Sequence, residues 1–280
     1  MTTYAWFMVD SPLIGPIDEP ELHVMTYNIR RRMPRPRRAD RWTHRAPALL
    51  HMLSTEQPTI LGVQEALPDQ SDFIGHSLGS HYRWVGSGRD ADGTGEACPI
   101  FYDARRVELQ QWRQVALSDT PRVPGSRSWG NRIPRILVWA LFADLATGTE
   151  FRMLNTHLDH QSRRSRVRAA GMVRQLVDAS IGPAIVTGDF NTSIGTTPYS
   201  ELVLDGKLLD AWVTAGTQLT PAWGTYPNYR PPTLGRKRID WILTNGGVDV
   251  RAIGINPATL AGVVGSDHLP VQARVVLTPR

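Results

Sequence analysis

Short apolar runs recur along this chain, and most of them stop at a polar residue. Leu22 to Tyr27, Thr59 to Val63, Phe151 to Leu154, Ala184 to Val186, Ile239 to Leu243 and Ala261 to Val264 are each about strand length and rich in branched or aromatic side chains. Ile100 to Tyr102, Val107 to Val115 and Ile136 to Asp144 add further predicted strands, and Ala146-Thr147-Gly148-Thr149 reads as the turn of a hairpin into Phe151. Two stretches instead follow a helical period. Asp40 is placed to cap a helix that turns Trp42, Ala46, Leu49, Leu50 and Leu53 inward. The second runs from about Ser162 to Ala179, with Val167, Ala170, Val173, Leu176 and Val177 inward and arginines at 163, 164, 166, 168 and 174. Strands outnumber helices, which predicts a mixed sheet arrangement. Residues 1–20 carry Pro12, Gly15, Pro16 and Pro20 without periodicity and read as an N-terminal arm, leaving residues 21–280 as one domain.

Composition narrows the class. A chain of 280 residues with 41% hydrophobic positions is long enough to bury a sizeable core in one domain. Cys98 is the single cysteine, so an intrachain disulfide and a zinc site of several thiolates are both excluded. No apolar run approaches the roughly 20 residues that span a bilayer, and Trp6 to Val9 lacks the basic leader and length of a signal peptide, so a cytoplasmic location is expected. The formal charge of +5 suits a phosphate-bearing partner. Lys207 and Lys237 are the only lysines, however, and so strong an arginine bias equally reflects a GC-rich coding sequence. Nucleic acid is therefore a possible partner that charge does not identify, and oligomeric state is not legible.

The polar residues behind the runs carry the candidate chemistry. Asp189 and Asn191 lie two apart on an extended segment and so face the same way. A carboxylate can deprotonate an attacking water, and an amide can donate to a phosphate oxygen without adding negative charge; read alone, the pair is equally a turn after a strand. His268, beside Asp267, can donate to a phosphate oxygen while Asp240 orients its ring. Glu65 is a hard ligand suited to magnesium, and Asn28 can support that ion or its water. His157 can contact phosphate, although a lone histidine commonly serves as a structural hydrogen-bonder.

Taken in order, Met25-Thr26-Tyr27-Asn28-Ile29-Arg30, Gly62-Val63-Gln64-Glu65, Thr156-His157-Leu158, Gly188-Asp189-Phe190-Asn191, Arg238-Ile239-Asp240-Trp241 and Ser266-Asp267-His268-Leu269-Pro270-Val271 resemble the motifs of the endonuclease/exonuclease/phosphatase superfamily across roughly residues 21–280. The resemblance implies a four-layer α/β sandwich, two packed mixed sheets flanked by helices, and a divalent cofactor, Mg2+ with Mn2+ as a substitute. It implies that Glu65 binds the metal with support from Asn28 and Asp267. Asp189 would activate water, Asn191 would contact the scissile phosphate, and His157 and the His268–Asp240 pair would stabilise its charge. Nucleases of the superfamily often carry an acid two residues after the first Asn; Arg30 stands there instead.

Further segments look like a bacterial subgroup. Gly95-Glu96-Ala97-Cys98-Pro99-Ile100-Phe101-Tyr102, Ser128-Trp129, Arg135, and Asp159 with Arg166 make Glu96, Trp129, Arg135, Asp159 and Arg166 candidate substrate contacts, or else loop-bracing residues. Trp223 and Tyr226, in a proline-rich loop before Asp240, could stack a planar group or simply cover the sheet edge. The expected activity is metal-dependent hydrolysis of a phosphate ester, with a phosphodiester slightly ahead of a sugar, inositol or nucleotide monoester. A DNA or RNA nuclease and a non-catalytic phosphate-ligand binder are the alternatives.

Overall fold

The structure is a computed structural model that describes residues 11–179 and 181–278. Its first half contains β1 (Glu21–Asn28), α1 (Trp42–Glu56), β2 (Ile60–Gln64), α2 (Pro68–Leu78), β3 (Tyr82–Val85), β4 (Ile100–Asp103), β5 (Val107–Ala116) and β6 (Ile136–Asp144). The second half contains β7 (Glu150–His157), α3 (Arg163–Asp178), β8 (Ala184–Asp189), α4 (Thr197–Leu202), β9 (Leu209–Asp210), α5 (Ala211–Thr214), β10 (Thr217–Gln218), β11 (Asp240–Thr244), β12 (Val248–Ile255) and β13 (Val271–Leu277). One sheet has the order β10-β12-β13-β1-β2-β4-β3 and the other β5-β6-β7-β8-β11-β9. Each is built around a parallel pair, β1 with β2 and β7 with β8, joined through α1 and α3 respectively. The flanking neighbours run antiparallel.

Both faces of the central strands are buried, so alternate residues serve different apolar layers. Leu22, Val24, Ile60, Met153, Ile185 and Ile242 fill the space between the sheets. Their neighbours Met25, Leu61 and Val63 pack with Leu49 and Leu53 of α1. On the other side Leu154, Val186 and Trp241 pack with Ala169, Ala170 and Val173 of α3. Three apolar layers thus separate helices, sheet, sheet and helices, which is the expected four-layer α/β sandwich.

A polar junction interrupts the inter-sheet layer near the strand ends. Asn155 on β7 is fully buried, and its Nδ2 donates to the carbonyls of Val63 (2.7 Å), Cys98 (3.1 Å) and Pro99 (3.0 Å) across the sandwich. Its Oδ1 accepts from Gln64 Nε2 at 2.7 Å and Thr187 Oγ1 at 3.1 Å. Gln64 Nε2 also donates to Thr26 Oγ1 at 3.1 Å. Gly62 is required beneath this network, because a Cβ there would meet the Thr187 hydroxyl and come within 2.7 Å of Asn155 Oδ1.

Three expectations need correction. Ala261 to Val264 is a turn: Leu260 and Val263 exchange backbone hydrogen bonds around Ala261 and Gly262, both with positive φ. The Asp267–His268 motif therefore precedes its strand, β13. Arg41, not Asp40, is the residue at the α1 N-cap, and no side chain caps it; the Asp40 carboxylate is engaged by Arg30 and Tyr229. On α1, Leu50 is 43% exposed, and Arg45, Ala48 and Met52 take part in the buried face instead.

Residues 1–10 of the expected arm lie outside the described residues, as does the Trp6 to Val9 stretch. The segment that follows is tied to the body, since the backbone N–H groups of Leu13, Ile14 and Gly15 donate to the buried Glu56 carboxylate. Among the described residues, no helix is long and apolar enough to cross a membrane.

Asn155→Ala should destabilise the protein by about 2–4 kcal/mol, read by urea denaturation, since it leaves buried acceptors without donors. Cys98 is buried, and burial pushes its thiol up to about 12. Ellman's reagent at pH 8 should therefore react only as fast as the native protein opens.

Candidate active site

The two parallel pairs end side by side, and each delivers polar residues to one cleft. Asn28 closes β1, Glu65 follows β2, His157 closes β7, Asp189 closes β8, and Asp240 opens β11 directly opposite Asp189. Asp267 and His268 come from the turn that enters β13. Side-chain bonds knit the two sheets together here: Asn28 Nδ2 donates to Glu65 Oε1 at 3.1 Å within its own sheet and to Asp189 Oδ2 at 3.0 Å in the other.

Asp189 is almost fully buried. Its Oδ1 accepts the Asn191 N–H at 2.9 Å, and its Oδ2 lies 3.4 Å from His157 Nε2 and 3.8 Å from His268 Nε2. Burial, reinforced by the nearby Asp240 charge, pushes its carboxyl up to about 7. His268 is equally enclosed, and burial alone would disfavour its charged form. The Asp240 carboxylate, 2.9 Å from Nδ1, together with Asp189 and Asp267 outweighs that penalty and raises the imidazole to about 10, so it is an imidazolium at neutral pH. His157 is opposite in character. Burial, with the charges of Arg135, Arg89 and His268, holds it well below the ordinary histidine range. Its neutral Nε2 accepts from Asn191 Nδ2 at 2.9 Å, and the same amide donates to Leu158 O at 3.0 Å.

Glu65 and Asp267 converge on a cation. The Arg30 guanidinium lies 3.8 Å from Glu65 Oε2 and 3.6 Å from Asp267 Oδ2 while forking onto Asp40. Burial opposes ionisation of Glu65, but the Asn28 amide, the His268 charge and Arg30 outweigh it and hold the carboxyl below its usual value. Burial and the Glu65 charge raise Asp267. Two carboxylates that already flank one positive charge form a hard-oxygen set that fits a divalent ion. A second grouping, Asp189, Asp240 and His268, brings one candidate ligand atom from each within 4.8 Å of the others. There the imidazole Nδ1 is already bonded to Asp240, so this trio is organised as a proton-holding network first.

Arg30, Glu65 and Asn191 all adopt positive φ, at 57°, 65° and 49°. Such backbone is unfavourable for residues with a Cβ. It is held in place at Arg30 by a residue that sequence reasoning missed. The fully buried Arg45 donates from Nη1 to Ile29 O (2.6 Å) and Gly265 O (3.1 Å), from Nη2 to Arg30 O and Arg31 O, and from Nε to Asp40 O. It thereby fastens the loop after Asn28 to the loop before Asp267.

The cleft encloses about 530 Å³, lined by Glu65, Asp189, Asn191, His157, Asp267 and His268 and extended by Arg31, Arg89, Glu96, Arg135, His160 and Tyr226. Of the expected substrate contacts, Glu96, Arg135 and Tyr226 are therefore brought to it; the Tyr226 ring sits 4.8 Å from the His268 ring. Asp159 lies behind Arg135 and accepts the N–H groups of Gln161 and Ser162. Arg166 holds the Asp159 carbonyl. Trp129 bonds Asp119 beneath Arg168, and Trp223 packs against the inter-sheet core. Arg89 carried no sequence signal of its own, because it reaches the cleft from a loop whose path only the fold defines.

In metal-free protein the His268 ring should titrate near 10 by NMR, and Asp240→Asn should move that midpoint down toward the ordinary range. The stability contributed by the imidazolium is full below the unfolded value of 6.5 and lost as pH rises through about 10, so the stability lost by the variant should be greatest below pH 6.5, decline above it and be small above pH 10.

Residues 25–268 match the model of the Endonuclease/Exonuclease/phosphatase family. Among solved structures, a member of that family from Bacteroides thetaiotaomicron is 30% identical, with a TM-score of 0.85 over 92% of this chain and 98% of that one. A mannosyl-6-phosphatase from the same organism is also 30% identical, with a TM-score of 0.83 over 91% of this chain and 100% of that one. The human Nocturnin catalytic domain, 18% identical with a TM-score of 0.69 over 92% and 94% of the two chains, shares the fold. No curated protein sequence matches the chain. With its motifs gathered at one cleft on this sandwich, the chain belongs to the endonuclease/exonuclease/phosphatase family and is a hydrolase of phosphate esters.

Proposed function

We propose that the protein hydrolyses the phosphate ester of a small polar molecule by in-line attack of a water that Asp189 activates, with a monoester ahead of a diester. The observation that carries this reading is the placement of Asp189: a buried carboxylate pushed up to about 7, between an imidazole raised to about 10 and a neutral imidazole, beside a cation site. A base of that strength is ionised in a large fraction at neutral pH and still accepts a proton readily. Asn28 and the Asn191 N–H fix its two oxygens. His268 donates from Nε2 toward a phosphate oxygen, and Asp240 keeps it charged. Asn191 orients His157 through its amide.

Glu65 and Asp267, supported by Asn28, would hold a divalent ion, magnesium on the chemistry of the oxygen donors. When bound it would neutralise phosphate charge. Charge on this chain's own residues does the rest.

The sequence alone favoured a diester slightly. Two observations support the reverse order. The mannosyl-6-phosphatase similarity at 30% identity brings a sugar monoester into view, and the cleft is of small-molecule size. A nuclease would be expected to use the arginine-rich loop after β1 to track a phosphate backbone. Several of those arginines are instead paired: Arg30 with Asp40, Arg31 with Glu96 and Arg32 with Asp69.

Hydrolysis of hexose 6-phosphates, a chromogenic monoester and a chromogenic diester, each with magnesium or manganese, tests the reading. Asp189→Asn should lower kcat/KM by at least ~1,000-fold with the fold intact, and chelation should abolish turnover until the ion is restored. Full activity in Asp189→Asn would refute the assignment of the base.

A further inference from the structure

Beyond the reacting groups, the cleft has a second wall that hydrolysis of phosphate does not require. Glu96 stands there between two arginines, with Arg89 Nη1 2.6 Å from Oε2 and Arg31 Nε 3.3 Å from Oε1. Beside it lies Arg135, 3% exposed. Arg135 Nε lies 3.4 Å from Asp159 Oδ2, and Arg135 Nη2 donates to His160 Nδ1 at 2.9 Å. Arg135 Nη1 is buried and has no hydrogen-bond partner. Buried guanidinium N–H groups are normally satisfied, and Arg135 lines the cleft, so this orphan is a donor for a ligand atom or a water that enters the recess. The wall is continuous with the reaction site: Arg89, Glu96, Arg135 and His157 line one recess that opens from the cleft.

The chemistry of the ligand follows from what the wall leaves unused. A carboxylate has about four acceptor positions, and the two ion pairs leave others on Glu96 free. Arg135 offers donors at Nη1, and His160, accepting at Nδ1, keeps its proton on Nε2 as a further donor. An acceptor next to donors matches groups that both give and receive hydrogen bonds. Hydroxyls do this; a second phosphate or carboxylate does not, because it would face Glu96. An alkyl or aryl group would leave the donors and the carboxylate unpaired, which is the arrangement by which sites reject an analogue lacking a hydroxyl.

We infer that Glu96, Arg135 and His160 form a hydroxyl-recognition subsite for the alcohol portion of the substrate, a sugar or polyol with two or more free hydroxyls. This rests on the small-molecule phosphoester reading above. The phosphate is taken at His268 and at the divalent ion that Glu65 and Asp267 would hold, while the uncharged polyol lies against the Glu96 side.

Affinity tests the subsite independently of turnover. Binding of glucose 6-phosphate, mannose 6-phosphate and cyclohexylmethyl phosphate, a ring of similar shape without hydroxyls, is measured by calorimetry on the Asp189→Asn protein loaded with magnesium. The methyl diesters of the same three form a second series, and hydrolysis of both series is followed in the wild type. The better hexose phosphate should bind at least ~100-fold more tightly than the cyclohexyl compound. Glu96→Gln in the same background should shrink that ratio at least tenfold, and Arg135→Lys serves as the second variant, each checked for an unchanged melting temperature. A ratio near one, a ratio that neither folded variant alters, or tighter binding of a hexose bisphosphate than of the hexose monophosphates overturns the subsite. Turnover of the diesters alone overturns the monoester reading and leaves the subsite to be judged on the ratio.

Discussion

Everything at the cleft depends on the height at which one sheet sits on the other, and that height is fixed by a buried side-chain amide. Apolar side chains between sheets attract without direction, and a sandwich held only by them tolerates sliding. Asn155 does not, because its donors reach one carbonyl of the opposite sheet and two of the segment that enters it at β4, and its acceptor takes two further side chains. The layer it anchors comprises Thr26, Gln64, Asn155 and Thr187. Those residues stand two, one, two and two positions before Asn28, Glu65, His157 and Asp189. A strand advances about 3.3 Å per residue, so a register set in the lower layer is transmitted to the upper one. The reacting groups are positioned from beneath, by groups that never meet substrate.

The charges above this layer are arranged by partnering. Asp240 holds His268 in its charged form, Asp189 is pushed up by burial, and His157 is kept neutral by burial and the surrounding cations. Three ionisable groups within one hydrogen-bonded cluster thus take three different protonation behaviours. Their difference comes from neighbours supplied by separate strands, and it would vanish if the strands were decoupled.

Much of this was legible in the sequence, for a physical reason. A residue at the end of a buried strand has its neighbours fixed by the apolar run before it, so the run and its terminal polar residue travel together as a readable unit. Asn28, Glu65, His157 and Asp189 all belong to such units, and Asp240 stands at the head of one. Ala261 to Val264 imitates one in composition, but Gly262 turns the chain there. Arg45 was invisible because a helical arginine ordinarily faces water, and nothing local announces that five carbonyls await it. Arg89 and the partnering of Asp40 with Tyr229 depend on loops brought together from distant parts of the chain. Trp223 and Trp129, conspicuous as aromatics, turn out to pack against the body.

The left-handed backbone at Arg30, Glu65 and Asn191 sets two kinds of selection against each other. Each such residue costs on the order of 1 kcal/mol relative to glycine in the same conformation. Passage through a screen that rewards only heat resistance would therefore drift toward glycine at these positions, shedding strain together with the side chains that gather charge. At these three positions the enzyme's working surface keeps backbone that folding energy alone would give to glycine.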